Sequence, residues 1–159
     1  MRSNAGDPMV KMQYLRSGMY VEHGRERQEG VDLATVSRVD LRWYYFMSDL
    51  SFTVDGVELA PPWAWTPVLD FVWSIKAVPD YMERGERFRL GFTENDDLIV
   101  FTPEASKIRI SCTYSTVEAV CDIAELRDAW VAFRDAVLTE LCEEYPQLAV
   151  NPALAELQL

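Results

Sequence analysis

The sequence is poor in the residues that hold metals and carry nucleophilic chemistry. It has one histidine, His23, and three cysteines, Cys112, Cys121 and Cys142, among 159 residues. A zinc site needs about four Cys or His ligands at short paired spacings, and no C-x-x-C pair is present, so no metal site is expected. An odd, unpaired cysteine set fits free thiols in a reducing cytoplasm. The glycine-rich phosphate loops, G-x-S-x-G and H-E-x-x-H are all absent, which weighs against the common cofactor-dependent and hydrolase classes and leaves no cofactor expected. No run of about eighteen apolar residues exists to span a membrane. The stretch from Met1 to Gly18 holds no apolar core of signal-peptide type.

Basic charge is also scarce. Fifteen Lys and Arg face 26 Asp and Glu, a formal charge of −11. Residues 1–42 hold seven basic and six acidic side chains (net +1), and residues 43–159 hold eight and twenty (net −12). A domain this acidic repels nucleic-acid phosphates and anionic membranes and can attract a basic protein.

What the chain does have is apolar mass, 49% hydrophobic and 12% aromatic. That suffices for one domain with a core. Residues 1–38 read as a flexible or loosely attached arm with one short strand near Lys11–Leu15, because His23 to Gly30 has little to bury. A native start at Met9 or later is a second reading of that stretch. Residues 39–159 read as a single α+β domain. From Tyr44 to Val54 apolar residues recur at even positions, the period of a strand. Asp55-Gly56 before Val57 is a hairpin signal, since a type I′ turn needs positive φ at both central residues. Thr66 then Pro67 reads as an N-cap followed by proline at the first helical position, opening a helix that Pro79 ends or kinks. Its apolar residues cover more than half its circumference, so it is buried on several sides or meets a partner, a second copy of the chain included.

Four short strands follow, with turns at Asn95-Asp96-Asp97, Pro103-Glu104-Ala105 and Ser115-Thr116. Their alternation gives an antiparallel meander with one wet face. The last helix runs from about Ile123 to Tyr145. It opens on an Asp122/Glu125 capping box and carries Leu126, Trp130, Phe133, Val137 and Leu141 in one stripe. Asn151-Pro152 caps a final turn with Leu154 and Leu157. The order ββ-α-ββββ-α predicts an α+β fold, with an antiparallel sheet of about five to six strands and two main helices packed on one face.

Two sets of residues stand out for chemistry. Glu94, Asp96 and Asp97 form an acidic cluster that can bind a cation or divide acid and base roles, although Asn and Asp also favour turns for local reasons. Trp63 and Trp65, two apart in a proline-bounded extended loop, can project to one side as anchors for a partner. His23 lies in the polar arm with no orienting partner in sight. Trp43, Tyr45 and Met47 share the less regular face of the first strand.

The segment Pro61-Pro62-Trp63-Ala64-Trp65-Thr66-Pro67-Val68-Leu69-Asp70-Phe71, with Phe92-Thr93-Glu94-Asn95-Asp96-Asp97 and Tyr145-Pro146, resembles a group of small uncharacterised actinobacterial proteins. The resemblance spans about Val39 to Leu157 and implies no activity. Two functional expectations follow from the residues. The first is a protein-binding or inhibitor module, immunity-like in size and charge, that meets a basic protein through Trp63, Trp65, Glu94, Asp96 and Asp97. The second is an enzyme using Asp70 or the Glu94/Asp96/Asp97 carboxylates.

Overall fold

The computed structural model describes residues 8–16, 30–63, 65–92 and 95–157. His23, Glu94 and the question of the native start lie outside the described residues. Among those described, no helix is long and apolar enough to cross a membrane.

The fold is α+β, with two four-stranded antiparallel sheets in place of the single sheet expected. The first sheet holds β1 (Val10–Leu15), β2 (Met47–Val54), β3 (Val57–Glu58) and β4 (Thr66–Pro67). Both β3 and β4 pair with β2, on different stretches of it. The second is a meander of β5 (Phe88–Phe92), β6 (Asn95–Glu104), β7 (Lys107–Cys112) and β8 (Glu118–Asp122). Prolines explain part of the split. Pro61 and Pro62 lack the N–H that a ladder needs, so β3 stays two residues long and cannot carry the sheet onward.

The described residues also hold three α-helices, α1 (Arg38–Trp43), α2 (Val68–Glu83) and α3 (Ile123–Glu144), and two 3-10 turns of helix, Pro146–Val150 and Pro152–Leu157. The two main helices do not share one face of one sheet. α2 touches β2 and β4 of the first sheet and β5 and β6 of the second, while α3 touches β1 and β8. This double contact accounts for the wide apolar surface of α2, where Val68, Leu69, Phe71, Val72, Ile75 and Val78 are all buried. Trp130 on α3 donates its indole N–H to the Val72 carbonyl at 2.8 Å, tying the helices together.

Residues 10–15 are not a loose arm. They form β1, paired in full with β2 from Val10↔Val54 to Leu15↔Asp49, and Val10 and Met12 are in the core. Arg16 then pairs with Glu140 and Glu144 at the end of α3. Further on, Asn151 donates to the carbonyls of Leu33 at 2.8 Å and Val36 at 2.9 Å, which holds 33–36 against the C-terminal turns. The same Asn151 accepts from the Ala153 N–H, the cap that its sequence context predicts.

Period two was decisive in β2. Ser48, Leu50, Phe52 and Val54 are buried and alternate with more open residues, as expected. The residues before it behave differently. Arg38–Trp43 is a helix capped by Ser37, so Trp43 is exposed, Tyr45 is buried, and Trp43, Tyr45 and Met47 share no face.

The Asp55-Gly56 turn is present, with φ of 49° and 79° and Val54 facing Val57. Gly56→Val should lower stability by about 1 kcal/mol or more, because a β-branched residue resists positive φ. An unchanged urea midpoint would refute this.

Thr66 is not an N-cap. Thr66 and Pro67 pair with Ser48 and Met47, and the helix begins one residue later than predicted, without a side-chain cap. The Thr66 hydroxyl is consequently buried with no hydrogen-bond partner. A buried, unsatisfied hydroxyl is unfavourable, so the near-isosteric Thr66→Val should stabilise the protein by about 1 kcal/mol. Thermal melting that shows a loss of stability would mean the hydroxyl has a partner.

Pro79 neither ends nor interrupts α2, which continues to Glu83. Only the Ile75 carbonyl loses its helical donor, and the burial of Val78, Pro79 and Met82 offsets that loss.

In the meander, Asn95-Asp96-Asp97 begins β6 and is not the turn: Phe92 faces Asn95, with an irregularity after Gly91. The link from β7 to β8 is residues 113–117, not a two-residue turn, so Ser111 faces Glu118 and Cys121 faces Ile108. A two-residue turn at Ser115-Thr116 would set Cys121 opposite Ile110; the observed register is two positions away, which leaves every side chain on its expected face. Asp122 and Glu125 cap α3 as read, with the Asp122 N–H donating to Glu125 at 2.9 Å. The buried stripe of α3 is Leu126, Trp130, Phe133, Val137 and Leu141, as expected.

Candidate functional site

The proline-bounded loop between β3 and β4 holds Trp63 and Trp65 on the same side. The two indoles stack at 5.9 Å with planes 19° apart. The stack leans on the end of the meander. Trp63 meets Phe92 edge-on at 5.3 Å and Tyr114 at 5.5 Å. Tyr114 crosses to the first sheet, where its hydroxyl donates to the Leu59 carbonyl at 2.5 Å. Burial pushes its pKa well above the ordinary phenol value, so the hydroxyl stays a donor. The four rings form a wall at the seam between the sheets. Both tryptophans are half-buried and keep part of their surface in solvent.

Asp96 and Asp97 sit at the same end of the molecule. The Asp97 carboxylate accepts from Thr113 Oγ1 at 2.9 Å, and Thr113 precedes Tyr114 in the wall. Asn95 Oδ1 accepts from the Asp97 N–H at 2.9 Å, and the Leu98 N–H donates to Thr113 Oγ1 at 2.9 Å. Asp97 therefore fastens β6 to the turn after β7. Asp96 is exposed, and its carboxylate has no hydrogen-bond or ion-pair partner among the described residues. No group of three or more His, Cys, Asp or Glu positioned to hold a metal occurs among the described residues.

Asp70 stands elsewhere, in the first turn of α2. Arg42 Nε donates to its Oδ1 at 2.7 Å, and Arg42 Nη2 donates to Ser74 Oγ at 3.3 Å. The guanidinium carbon lies 6.0 Å from the Trp73 ring centre. Burial raises the Asp70 pKa, and the Arg42 hydrogen bond and charge oppose that rise. Asp70 is thus engaged in joining α1 to α2, and no described contact links it to Asp96 or Asp97.

The three cysteines are free. Cys112 and Cys121 are buried, and burial pushes the Cys121 thiol up to about 12, so it is protonated and unreactive at neutral pH.

No family model matches the chain, and neither the curated proteins nor the solved structures contain a match to it. Function therefore rests on the geometry. Two members of the aromatic wall, Phe92 and Tyr114, were not among the residues expected to form a site. Each reads in sequence as one more apolar position in a strand. Their placement at strand ends, beside turns, is the signal that they can project beyond the sheet.

Proposed function

We propose that the protein is a binding module, inhibitor-like in the manner of immunity proteins, that docks a basic partner protein with its aromatic, acidic end. The observation that carries this is the stacked, half-exposed Trp63–Trp65 pair, braced by Phe92 and Tyr114 and neighboured by Asp96 and Asp97. Large, rigid aromatics at a surface supply desolvated contact area at low entropic cost, and such residues dominate binding hot spots. The net −12 of residues 43–159 supplies a long-range field for a basic protein. The free thiols are in keeping with a cytoplasmic setting.

The two features should separate kinetically. With the partner isolated from native lysate, Trp63→Ala with Trp65→Ala should speed dissociation by about tenfold or more. Asp96→Asn with Asp97→Asn should slow association and flatten its dependence on salt, because screening acts on steering. An acidic partner, or rates unchanged in both variants, would overturn the proposal. Urea midpoints of the variants show whether the wall still folds.

A further inference from the structure

β1 is an edge of the first sheet and packs against α3. The Asp55 N–H donates to the Met9 carbonyl at 2.8 Å, and Val10 lies opposite Val54. Antiparallel partners alternate between residues that exchange backbone bonds and residues that do not. Lys11, Gln13 and Leu15 therefore turn their N–H and C=O toward β2. The corresponding groups of Val10, Met12 and Tyr14 turn outward. Among the described residues, these outward groups have no backbone partner.

Two cavities adjoin β1. One, of about 400 Å³, lies between Pro8–Met12 and α3, beside the free edge, and forms a trough. The other, of about 610 Å³, reaches inward from Met12–Leu15 across Asp49, Leu50 and Ser51 of β2 to Glu58 of β3. Met12, Phe133 and Ala136 line both. β1 and α3 run alongside each other in the same direction. Glu125 shares a cavity with Pro8, Tyr14 meets Phe133 edge-on at 5.9 Å, and Arg16 reaches Glu140 and Glu144. Pro8 to Arg16 in extended form and Glu125 to Glu144 in helical form each span about 30 Å. The helix wall is low because it presents Ala129, Ala132 and Ala136.

The trough is acidic on its helix side: Glu125 and Asp128 line it, against Lys11 as the one cation lining it among the described residues. Just past the trough, the charge of Arg16 is already taken by its two glutamates.

We infer that this trough takes an extended, basic segment of a partner protein, added as a strand to the outer edge of β1. A strand edge beside a helix is a recurring way to hold a peptide: backbone bonds give affinity and alternate side chains give selectivity. Outward N–H and C=O groups at every second residue of β1 supply the backbone bonds. Small or aliphatic side chains fit over the alanines, and basic ones meet Glu125 and Asp128. This surface is separate from the tryptophan end and does not depend on it.

The test uses the whole chain, labelled with ¹⁵N, and a synthetic peptide of about eight residues that alternates Lys with Val. The amide signals of Val10, Met12 and Tyr14 should shift on titration, and their exchange with solvent should slow by about tenfold or more. A twin peptide with Glu in place of Lys should bind at least about tenfold more weakly. Ala132→Trp, at an exposed helix position, should fill the trough and abolish the shifts. Asp128→Lys gives a second variant that keeps the trough open, and it should weaken the Lys peptide by about tenfold. Trp63→Ala with Trp65→Ala should leave peptide binding unchanged, which keeps this inference and the tryptophan proposal distinguishable. The inference is overturned if the three amides do not respond at about 1 mM peptide, a threshold for even weak binding. It is overturned equally if the Glu twin binds as well. Slow exchange of those amides before any peptide is added would also overturn it, since the edge would then already be paired within the chain or by a second copy.

Discussion

A chain that begins at Ser17, and so lacks β1, should lose its cooperative thermal unfolding transition. β1 supplies Val10 and Met12 to the core, and burying two such side chains is worth about 3–6 kcal/mol. It also pairs with β2 along six positions, from Asp49 to Val54. Without it, the strand holding Leu50, Phe52 and Val54 becomes an open edge, and Phe133 of α3 loses its contact with Tyr14. Arg16 is only 9% exposed at its side chain and holds two glutamates at the end of α3, where helix carbonyls add further negative potential. Domains of this size have total stabilities of about 5–15 kcal/mol, so the sum removes most of what is available. β1 thus ties residues 10–15 to the core, where composition reads the stretch 1–38 as a flexible or loosely attached arm. A truncated chain that melts in one sharp transition at an unchanged temperature would show that β1 contributes little.

Arg42→Ala is expected to cost about 2–4 kcal/mol at neutral pH, more than most single substitutions, by leaving the Asp70 carboxylate buried without its cation. The Arg42 side chain is 29% exposed and that of Asp70 11%, which places the pair below the cost of a fully enclosed one. The pH dependence follows from the direction of the Asp70 shift. Burial raises its pKa, and Arg42 opposes that rise. Removing Arg42 leaves burial alone, so the pKa in the folded variant climbs further. A carboxyl whose folded pKa exceeds its unfolded one disfavours folding when ionised, and the penalty fades as pH falls toward the unfolded value. The stability gap between wild type and Arg42→Ala should therefore be widest near pH 7 and narrow toward about pH 4. Asp70→Asn in the Arg42→Ala background should recover part of the loss. Urea unfolding at the two pH values checks this, and a gap of the same size at both would remove Asp70 from the explanation.

The legible parts of the fold were those where one local rule decides. The stripe Leu126, Trp130, Phe133, Val137 and Leu141 needed only helical period. The Asp55-Gly56 hairpin needed only the steric demand for positive φ. Where a local rule competed with a distant partner, the partner prevailed. Thr66 has the chemistry of an N-cap, yet its backbone pairs with Ser48. Pro79 reads as a residue that ends or kinks a helix, yet α2 does not end there and runs on to Glu83, with Val78, Pro79 and Met82 buried. β1 was visible as a short strand near Lys11–Leu15, but its mate lies some forty residues on, and nothing in the intervening sequence states that pairing. The division into two sheets has the same character, because it depends on which strands fail to meet. Of the candidate site, the shared side of Trp63 and Trp65 could be read from their spacing. Their bracing by Phe92 and Tyr114 could not, since it arises across the seam between the sheets.

That seam bears on the order in which the molecule assembles. β5 to β8 are neighbours in the chain, so the meander can form by closing short loops in turn, at small entropic cost. The other sheet must bring residues 10–15 to residues 49–54 and then wait for α3, at the far end of the chain, to cover β1. Contacts of long sequence separation form late, because closure is unfavourable until the packing that rewards it is in place. The first sheet should be the last part built and the first to open. A stabilising change within it, such as Thr66→Val, should then act as a brake on unfolding, slowing the escape from the native state while the folding rate stays as it was; a faster folding rate instead would place that sheet in the nucleus.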